Sequence, residues 1–178
     1  MSWKLLERVI KDVFSLTLEK EFISVDSYGK PFIENRNNIH FNLSHSGEIV
    51  CCIVDAFPVG IDVEAVSPID LDTTNFFHSK ERFDLSTLPT NEQIKYFYKL
   101  WVLKESYIKA EGKGLSIPLN TFSFEINNDL IHFEGNNNHK WDFSLHAIDI
   151  NRQPYQLGIC THKGRLPNKI IEIPYMFL

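Results

Sequence analysis

Apolar residues at the start of the chain recur at helical spacing, and charged residues fill the gaps between them. This period predicts an amphipathic helix whose apolar side must pack on another surface. The apolar positions are Trp3, Leu6, Val9, Ile10, Val13 and Phe14. A short extended segment at 22–25 and a turn at 26–31, which contains Gly and Pro, are predicted to follow.

The middle of the chain changes from strand patterns to helical patterns. Three β segments are predicted, at 39–44, 49–55 and 59–64. Three helical segments are predicted next, at 71–77, 79–85 and 91–111. Ser79 is expected to cap the second of these helices, and the pair Gly112 and Gly114 is expected to end the third.

Four more β segments are predicted after the long helix, at 122–126, 130–134, 141–148 and 156–162. Turns rich in Asn and Gly separate the first three of them, so we expect an antiparallel meander. We find no internal repeat in the sequence. Elements in this order indicate an α+β fold.

The composition is that of a folded protein with one core. The chain has 178 residues, of which 43% are hydrophobic and 13% aromatic, and this suits a single compact unit. Its net charge of −5 argues against a nucleic-acid partner, which needs an extended basic surface. The first residues mix charged and apolar side chains, which indicates no signal peptide or membrane span and favours the cytoplasm. Cys51 and Cys52 are expected to be reduced and to point to opposite faces of a strand.

Asp62 and Glu64 lie two residues apart in the third predicted strand, within the sequence Gly-Ile-Asp-Val-Glu. Side chains two apart on a strand share a face, so the two carboxylates lie side by side. Neighbouring carboxylates repel unless a cation lies between them, which makes this pair a candidate site for a hard metal ion. A solvated strand face explains these five residues equally well.

The long predicted helix carries Glu105 and Lys109 four residues apart, and Trp101 lies one turn earlier on the same face. An ordinary surface ion pair is the simplest explanation of this pattern. The helix is rich in aromatic residues, however, so much of its circumference is expected to be buried. A carboxylate and an ammonium group in such surroundings are costly unless they bind something, and this favours a functional role.

The segment Asn-Leu-Ser-His-Ser-Gly at 42–47 lies where a predicted strand breaks into a turn. Its hydroxyls, imidazole and backbone N–H groups are suited to an anion. Adjacent Ser and His side chains diverge on a strand, so anion binding is preferred to acyl transfer. A hairpin turn rich in Ser and Gly is an alternative, and the Gly-Lys-Gly at 112–114 is also explained as a helix stop.

Together these segments resemble the signature motifs of the 4′-phosphopantetheinyl transferases, in particular those of the surfactin-synthetase-activating (Sfp) type. The motifs are Asn42-Leu43-Ser44-His45-Ser46, Gly60-Ile61-Asp62-Val63-Glu64, Trp101 to Lys109, and Gly112-Lys113-Gly114-Leu115, with Tyr28-Gly29-Lys30-Pro31 before them. The resemblance extends over nearly the whole chain. It implies an enzyme that transfers the phosphopantetheine arm of coenzyme A to a serine of an apo acyl or peptidyl carrier protein and releases adenosine 3′,5′-bisphosphate.

The resemblance also implies roles for individual residues. Asp62, Glu64 and Glu105 would bind Mg²⁺ against the coenzyme A pyrophosphate. Glu105 would act as the base for the incoming serine, and Asp62 and Lys109 would complete the catalytic set. The cofactor-binding residues that it implies are Lys30, Pro31, Ser44, His45, Ser46, Lys104 and Lys109.

The family fold consists of two similar α+β lobes related by a pseudo-twofold axis, which implies lobes at about 1–59 and 60–178 of one unit. Members of this type carry a further N-terminal segment, so the first lobe is expected to be incomplete. A catalytically weak relative that binds coenzyme A or a carrier protein is the nearest alternative, and a Mg²⁺-dependent phosphohydrolase is a more distant one. The carboxylate pair is expected to be exposed, and an acidic carrier protein is expected to dock near Lys104, Lys109 and Lys113.

Overall fold

A computed structural model of the protein describes residues 2–18, 22–128, 130–135, 141–174 and 176. Helices and antiparallel β pairs are both present in these residues, so the predicted α+β class is confirmed. None of the helices in the described ranges has the length and apolarity of a membrane span. In chain order the elements are α1 (Ser2–Phe14), β1 (Ile23–Val25), β2 (Pro31–Ile33), β3 (His40–Ser46), β4 (Ile49–Asp55), β5 (Val59–Ala65), a 3-10 helix (Leu71–Phe76), α2 (Ser79–Thr87), α3 (Thr90–Glu111), two short 3-10 helices (Gly114–Ser116 and Leu119–Thr121), β6 (Ser123–Asn127), β7 (Leu130–Glu134), β8 (Trp141–Ile150) and β9 (Gln153–His162).

Two local features differ from the sequence prediction. Strand β2 is not predicted, because the predicted turn includes its first residue, Pro31, and nothing is assigned to the next two. In the structure it pairs with β1 through Val25 and Pro31 and through Ile23 and Ile33. Helix α2 is capped by His78 rather than Ser79, because the His78 ring accepts a hydrogen bond from the backbone N–H of Lys80. Three-residue strands are too short to show an alternating pattern, and an imidazole in place of a hydroxyl is an uncommon cap.

The prediction of one antiparallel meander is wrong. Among the described residues, β6 and β7 form a hairpin of their own, whereas β8, β9 and β5 form a three-stranded sheet with β9 in the centre. Most of β9 is buried, and a central strand needs a backbone partner on each side. Strand β5 supplies the second partner from far earlier in the chain, with Asp62 opposite Gly158.

The apolar side of α1 packs on the sheet formed by β3 and β4. Leu6 and Ile10 are fully buried there against Phe41, which confirms that the helix is amphipathic. Cys52 contacts this cluster, whereas Cys51 packs on the opposite side against residues of β5 and β9. The two thiols therefore point to opposite faces as predicted, and both are free. The division into two lobes near residue 59 stays a prediction.

Helix α3 lies directly on β5 and β9 because two glycines leave room for its backbone. A Cβ atom at Gly60 would lie 1.9 Å from the carbonyl oxygen of Ser106. A Cβ atom at Gly158 would lie 2.5 Å from the carbonyl oxygen of Val102. Both distances are far below van der Waals contact, so the observed separation of helix and sheet requires glycine at these two positions.

A fully buried ion pair fixes the opposite side of α3. The Lys104 ammonium lies 2.8 Å from the Glu81 carboxylate, and both side chains are completely enclosed. Lys104 also donates to the carbonyl oxygens of Leu119 and Phe122, at 2.8 and 2.9 Å. Glu81 accepts hydrogen bonds from the backbone N–H groups of His78 and Phe124. Burial raises the pKa of Glu81 and lowers that of Lys104, and each charge opposes the shift of the other.

Replacement of Gly60 by alanine is expected to destabilise the fold strongly. The new methyl group cannot avoid the Ser106 carbonyl unless helix and sheet separate, so the free energy of unfolding should fall by about 3 kcal/mol or more. Chemical denaturation measures this change. Gly29→Ala is the control, because its φ of +85° strains any side chain although nothing lies within 4 Å of the new atom. The control should lose only about 1–2 kcal/mol, and equal losses in the two variants would contradict the packing argument.

Replacement of Lys104 by methionine should lower the free energy of unfolding by about 3–5 kcal/mol, because Glu81 is then left buried without a counter-charge. The double variant Lys104→Met with Glu81→Gln should recover much of this loss. The amide removes the charge, and its carbonyl oxygen can still accept the backbone N–H of Phe124. Urea denaturation of both variants tests this, and a double variant no more stable than Lys104→Met would contradict it.

Candidate functional site

A cleft of about 320 Å³ lies between β3, β5 and α3. A second cavity of about 230 Å³ shares Glu105 and Lys109 with the cleft and extends towards the turn between β1 and β2. The cleft is lined by Leu43, Ser44, His45, Asp62, Glu64, Trp101, Glu105 and Lys109. The second cavity includes Tyr28, Gly29, Lys30, Pro31 and Asn42. These two cavities therefore bring together all the sequence-predicted site residues except Ser46 and Lys104.

Strand β5 presents two carboxylates to the cleft because successive side chains of a strand point to opposite faces. Ile61 and Val63 enter the core, and Asp62 and Glu64 project from the opposite face. The expectation that this carboxylate pair is exposed is wrong for Asp62, which is only 3% exposed, whereas Glu64 is half-buried. The difference arises because α3 covers this part of β5, and a strand pattern alone does not show which helix lies above it.

Asp62 forms the closest charge contact in the cleft. Its Oδ1 atom accepts hydrogen bonds from the Lys109 ammonium at 2.6 Å and from the Ser44 hydroxyl at 2.9 Å. Its Oδ2 atom is buried and has no hydrogen-bond partner among the residues that the structure describes. Burial raises the pKa of Asp62, and Lys109 and Ser44 oppose this rise. The cleft thus contains a buried carboxylate oxygen that still lacks a partner.

The other two carboxylates differ in how firmly they are held. Glu64 accepts a hydrogen bond from the Ser46 hydroxyl at 3.1 Å, and the Trp101 indole lines the same cleft. No described residue donates a hydrogen bond to Glu105. Burial is the main cause that raises the pKa of Glu64 and of Glu105, and the negative charge of Asp62 adds to both shifts.

The cleft is therefore an acidic site in which Lys109 opposes three mutually repelling carboxylates. Within the described ranges, no three His, Cys, Asp or Glu side chains are already arranged to hold a metal ion. The donor set nevertheless suits a hard divalent cation, because all three groups are carboxylates and one buried oxygen is unpaired. That Asp62, Glu64 and Glu105 share one Mg²⁺ stays a prediction.

A row of polar side chains, which we call the polar comb, joins β3 to β5. It consists of Asn42, Ser44 and Ser46. These side chains accept hydrogen bonds from every second backbone N–H group of β5, those of Ile61, Val63 and Ala65, at 2.8, 3.3 and 3.0 Å. Each acceptor lies 19 residues before its donor, so the three hydrogen bonds all keep β3 and β5 in the same register. The sequence signal was the alternation of polar side chains along β3, which the prediction had assigned to anion binding.

The two serines of the polar comb direct their hydroxyl protons to carboxylates of β5. A serine hydroxyl has a single proton, and here Ser44 donates it to Asp62 while Ser46 donates it to Glu64. That Ser44 and Ser46 bind coenzyme A stays a prediction. His45, which lies between them, is exposed and lines the cleft, and its contact with coenzyme A stays a prediction.

Two predicted cofactor-binding lysines have partners within the protein, and only one of them, Lys30, lines a cavity. Lys104 is fully buried in its ion pair with Glu81, on the side of α3 away from the cleft, so its prediction as a cofactor-binding or docking residue is wrong. Lys30 lines the second cavity, and its ammonium donates to the carbonyl oxygens of Lys109 and Ala110 at 2.6 and 3.0 Å. Burial lowers the pKa of Lys30. Lys30 therefore caps the last turn of α3, a role that the sequence did not indicate.

Comparison with known proteins agrees with the resemblance in the motifs. The family model of the 4′-phosphopantetheinyl transferase superfamily matches residues 58–160. The chain is 37% identical over 174 residues to the 4′-phosphopantetheinyl transferase Sfp of Bacillus subtilis (strain 168), which covers 96% of this chain and 76% of that relative. It is 35% identical over 160 residues to the 4′-phosphopantetheinyl transferase psf-1 of Bacillus pumilus, with 89% and 68% of the two chains covered.

Among solved structures, a holo-(acyl-carrier-protein) synthase from Bacillus anthracis in complex with CoA (3′,5′-ADP) aligns with a TM-score of 0.48 and 14% identity over 58% of this chain and 93% of that one. The family model matches more than half of this chain, and the Sfp relative matches it over nearly its whole length. These two matches show that the chain belongs to the 4′-phosphopantetheinyl transferase superfamily.

Proposed function

We propose that this protein transfers the 4′-phosphopantetheine arm of coenzyme A to a serine of an apo acyl or peptidyl carrier protein, with release of adenosine 3′,5′-bisphosphate. Besides membership of this superfamily, one structural observation supports the proposal. Helix α3 brings Glu105 and Lys109 to the same cleft as the β5 carboxylates Asp62 and Glu64. The cleft thus holds acidic groups for a cation, a lysine for phosphate charge, and a carboxylate for proton transfer.

We propose that Asp62, Glu64 and Glu105 hold a Mg²⁺ ion. The unpaired buried oxygen of Asp62 and the mutual repulsion of the three carboxylates both support a cation here. Mg²⁺ prefers oxygen ligands and keeps several water molecules in its coordination shell. Three carboxylates are therefore enough ligands from the protein. When bound, the ion would neutralise phosphate charge that develops as the phosphoanhydride opens.

Lys109 is proposed to bind the pyrophosphate of coenzyme A. Its ammonium contacts Asp62 and the Ser44 hydroxyl, and it has a longer contact of 3.3 Å with the Ile61 carbonyl oxygen. The side chain is 27% exposed. One N–H of the ammonium can therefore leave the Ile61 carbonyl oxygen and bind a phosphate oxygen, while another N–H stays bound to Asp62. The lysine would then neutralise anionic charge on the co-substrate from the α3 side of the cleft.

Glu105 is proposed as the base that takes the proton from the carrier serine. Its carboxylate receives no hydrogen bond from a described residue, and burial raises its pKa. A carboxylate with a raised pKa and free lone pairs binds a proton more readily than one held by donors, such as Glu64. The geometry therefore favours Glu105 over the other two carboxylates for proton transfer.

An acidic carrier protein is proposed to dock beside α3, near Lys109 and the exposed Lys113. Lys113 lies 3.6 Å from Glu111, a loose contact that leaves most of its charge in water. Such exposed charges speed association and are weakened by salt. The reaction requires coenzyme A and an apo carrier protein, so we propose the cytoplasm as its compartment.

Incubation of the protein with coenzyme A, MgCl₂ and an apo carrier protein should add one phosphopantetheine to the carrier, and intact-protein mass spectrometry measures this gain. Excess EDTA should abolish the gain, and added Mg²⁺ should restore it. Transfer that persists in EDTA would contradict the metal proposal alone. A carrier that gains no mass while coenzyme A still binds would support the catalytically weak alternative. Release of adenosine 3′,5′-bisphosphate without a carrier would support the phosphohydrolase alternative.

Replacement of Glu105 by glutamine should lower kcat about 10²–10⁴-fold, because the amide cannot take the serine proton. The same assay, run over a series of enzyme concentrations, provides the rate. Glu92→Gln is the matched control, since Glu92 lies exposed in the first turn of the same helix. The control should keep the wild-type rate, and a Glu105→Gln variant within threefold of wild type would exclude Glu105 as the base.

A further inference from the structure

We propose that Ser46 is a positioning residue that holds the carboxylate of Glu64 for metal binding, and that Ser46 does not itself contact coenzyme A. The inference rests on the proposed function, because it concerns the same cleft and the same ion. It replaces the anion-binding role that the sequence suggested for this hydroxyl.

Ser46 lies at the end of the polar comb, where its hydroxyl is fixed from two sides. It accepts the backbone N–H of Ala65 at 3.0 Å and donates its own proton to Oε2 of Glu64 at 3.1 Å. The hydrogen bond from the Ala65 N–H holds the Ser46 hydroxyl oxygen beside β5. From this position the hydroxyl proton has the Glu64 carboxylate as its acceptor. Ser46 therefore binds both the backbone of β5 and a carboxylate on the same strand.

Glu64 has one side-chain donor among the described residues, the Ser46 hydroxyl of β3. Trp101 of α3 lines the same cleft. The Ser46 hydroxyl is therefore the group that orients this half-buried carboxylate. Carboxylates that bind a metal depend on such outer partners for their orientation, and loss of one partner typically lowers metal affinity about 10–100-fold.

The surroundings of Ser46 also argue against a direct contact with a phosphate group. Ser44 and His45 line the cleft, whereas Ser46 lines neither of the two cavities described above. The nearest charged group to its hydroxyl is the carboxylate of Glu64, which would repel a phosphate placed there. A phosphate could bind this hydroxyl only by taking the proton away from Glu64.

The test compares two affinities in Ser46→Ala and in wild type. Mn²⁺ is the metal probe, and its binding at saturating coenzyme A is followed by electron paramagnetic resonance. Coenzyme A binding at saturating Mn²⁺ is followed by isothermal titration calorimetry. We expect the Mn²⁺ dissociation constant to rise about 10–100-fold, whereas the coenzyme A dissociation constant should stay within threefold. The opposite pattern, or an unchanged Mn²⁺ affinity, would overturn the proposal.

Two further variants separate positioning from a general loss of stability. Ser46→Thr keeps the hydroxyl on a β-branched side chain that suits a strand, so it should restore Mn²⁺ affinity to within about threefold of wild type. Ser67→Ala is the matched control, because Ser67 lies just beyond β5 and its hydroxyl bonds only Tyr98 among the described residues. Its Mn²⁺ affinity should be unchanged, and a loss equal to that of Ser46→Ala would contradict a specific role.

Wild-type measurements distinguish this inference from the proposed function. If wild type transfers phosphopantetheine and binds Mn²⁺ while Ser46→Ala behaves identically, only the role of Ser46 is wrong. If wild type binds neither Mn²⁺ nor coenzyme A, the proposed function fails first, and the inference fails with it. Thermal unfolding of each variant confirms that the compared proteins are folded.

Discussion

The close contact between α3 and β5 at Gly60 is the constraint on which the site depends. Only a residue without a side chain lets the helix backbone approach the strand this closely. The approach lets Lys109 reach Asp62 at 2.6 Å and brings Trp101 to the same cleft as Glu64. A helix a few ångströms higher would leave the two elements with separate, unpaired charges. The chemistry of the cleft therefore follows from a packing distance between two backbones.

The same contact explains how Asp62 can be buried beside the two partly exposed carboxylates of Glu64 and Glu105. Asp62 is buried by α3, but α3 also supplies the ammonium of Lys109, and β3 supplies the hydroxyl of Ser44. Burial of a carboxylate is costly unless such partners replace water. The opposite side of α3 follows the same rule, with Lys104 and Glu81 as a fully enclosed pair. Lys104 and Lys109 of the same helix thus have different roles, because they lie on different faces of it.

The sequence predicted those features that depend on local period. It predicted the amphipathic α1, most strands, the shared face of Asp62 and Glu64, and the shared face of Glu105 and Lys109. It did not predict that β5 pairs with β9, that Asp62 is buried, or that Lys104 points away from the cleft. These depend on contacts between distant segments, and no spacing along the chain encodes them. The hydrogen bonds from the serine hydroxyls to Asp62 and Glu64 were not predicted for a related reason, since the direction of a single proton depends on the nearest acceptor in space.

Lys30 links the second cavity to the end of α3. Its ammonium binds the carbonyl oxygens of Lys109 and Ala110, and its backbone lies in the turn between β1 and β2. A ligand that draws this ammonium into the cavity must release both carbonyls at the helix terminus, where they would lose their charged donor. Occupancy of the cavity and order in the final helical turn are therefore thermodynamically linked. Because one of those carbonyls belongs to Lys109, the turn at residue 30 is coupled to the backbone of the residue that contacts Asp62.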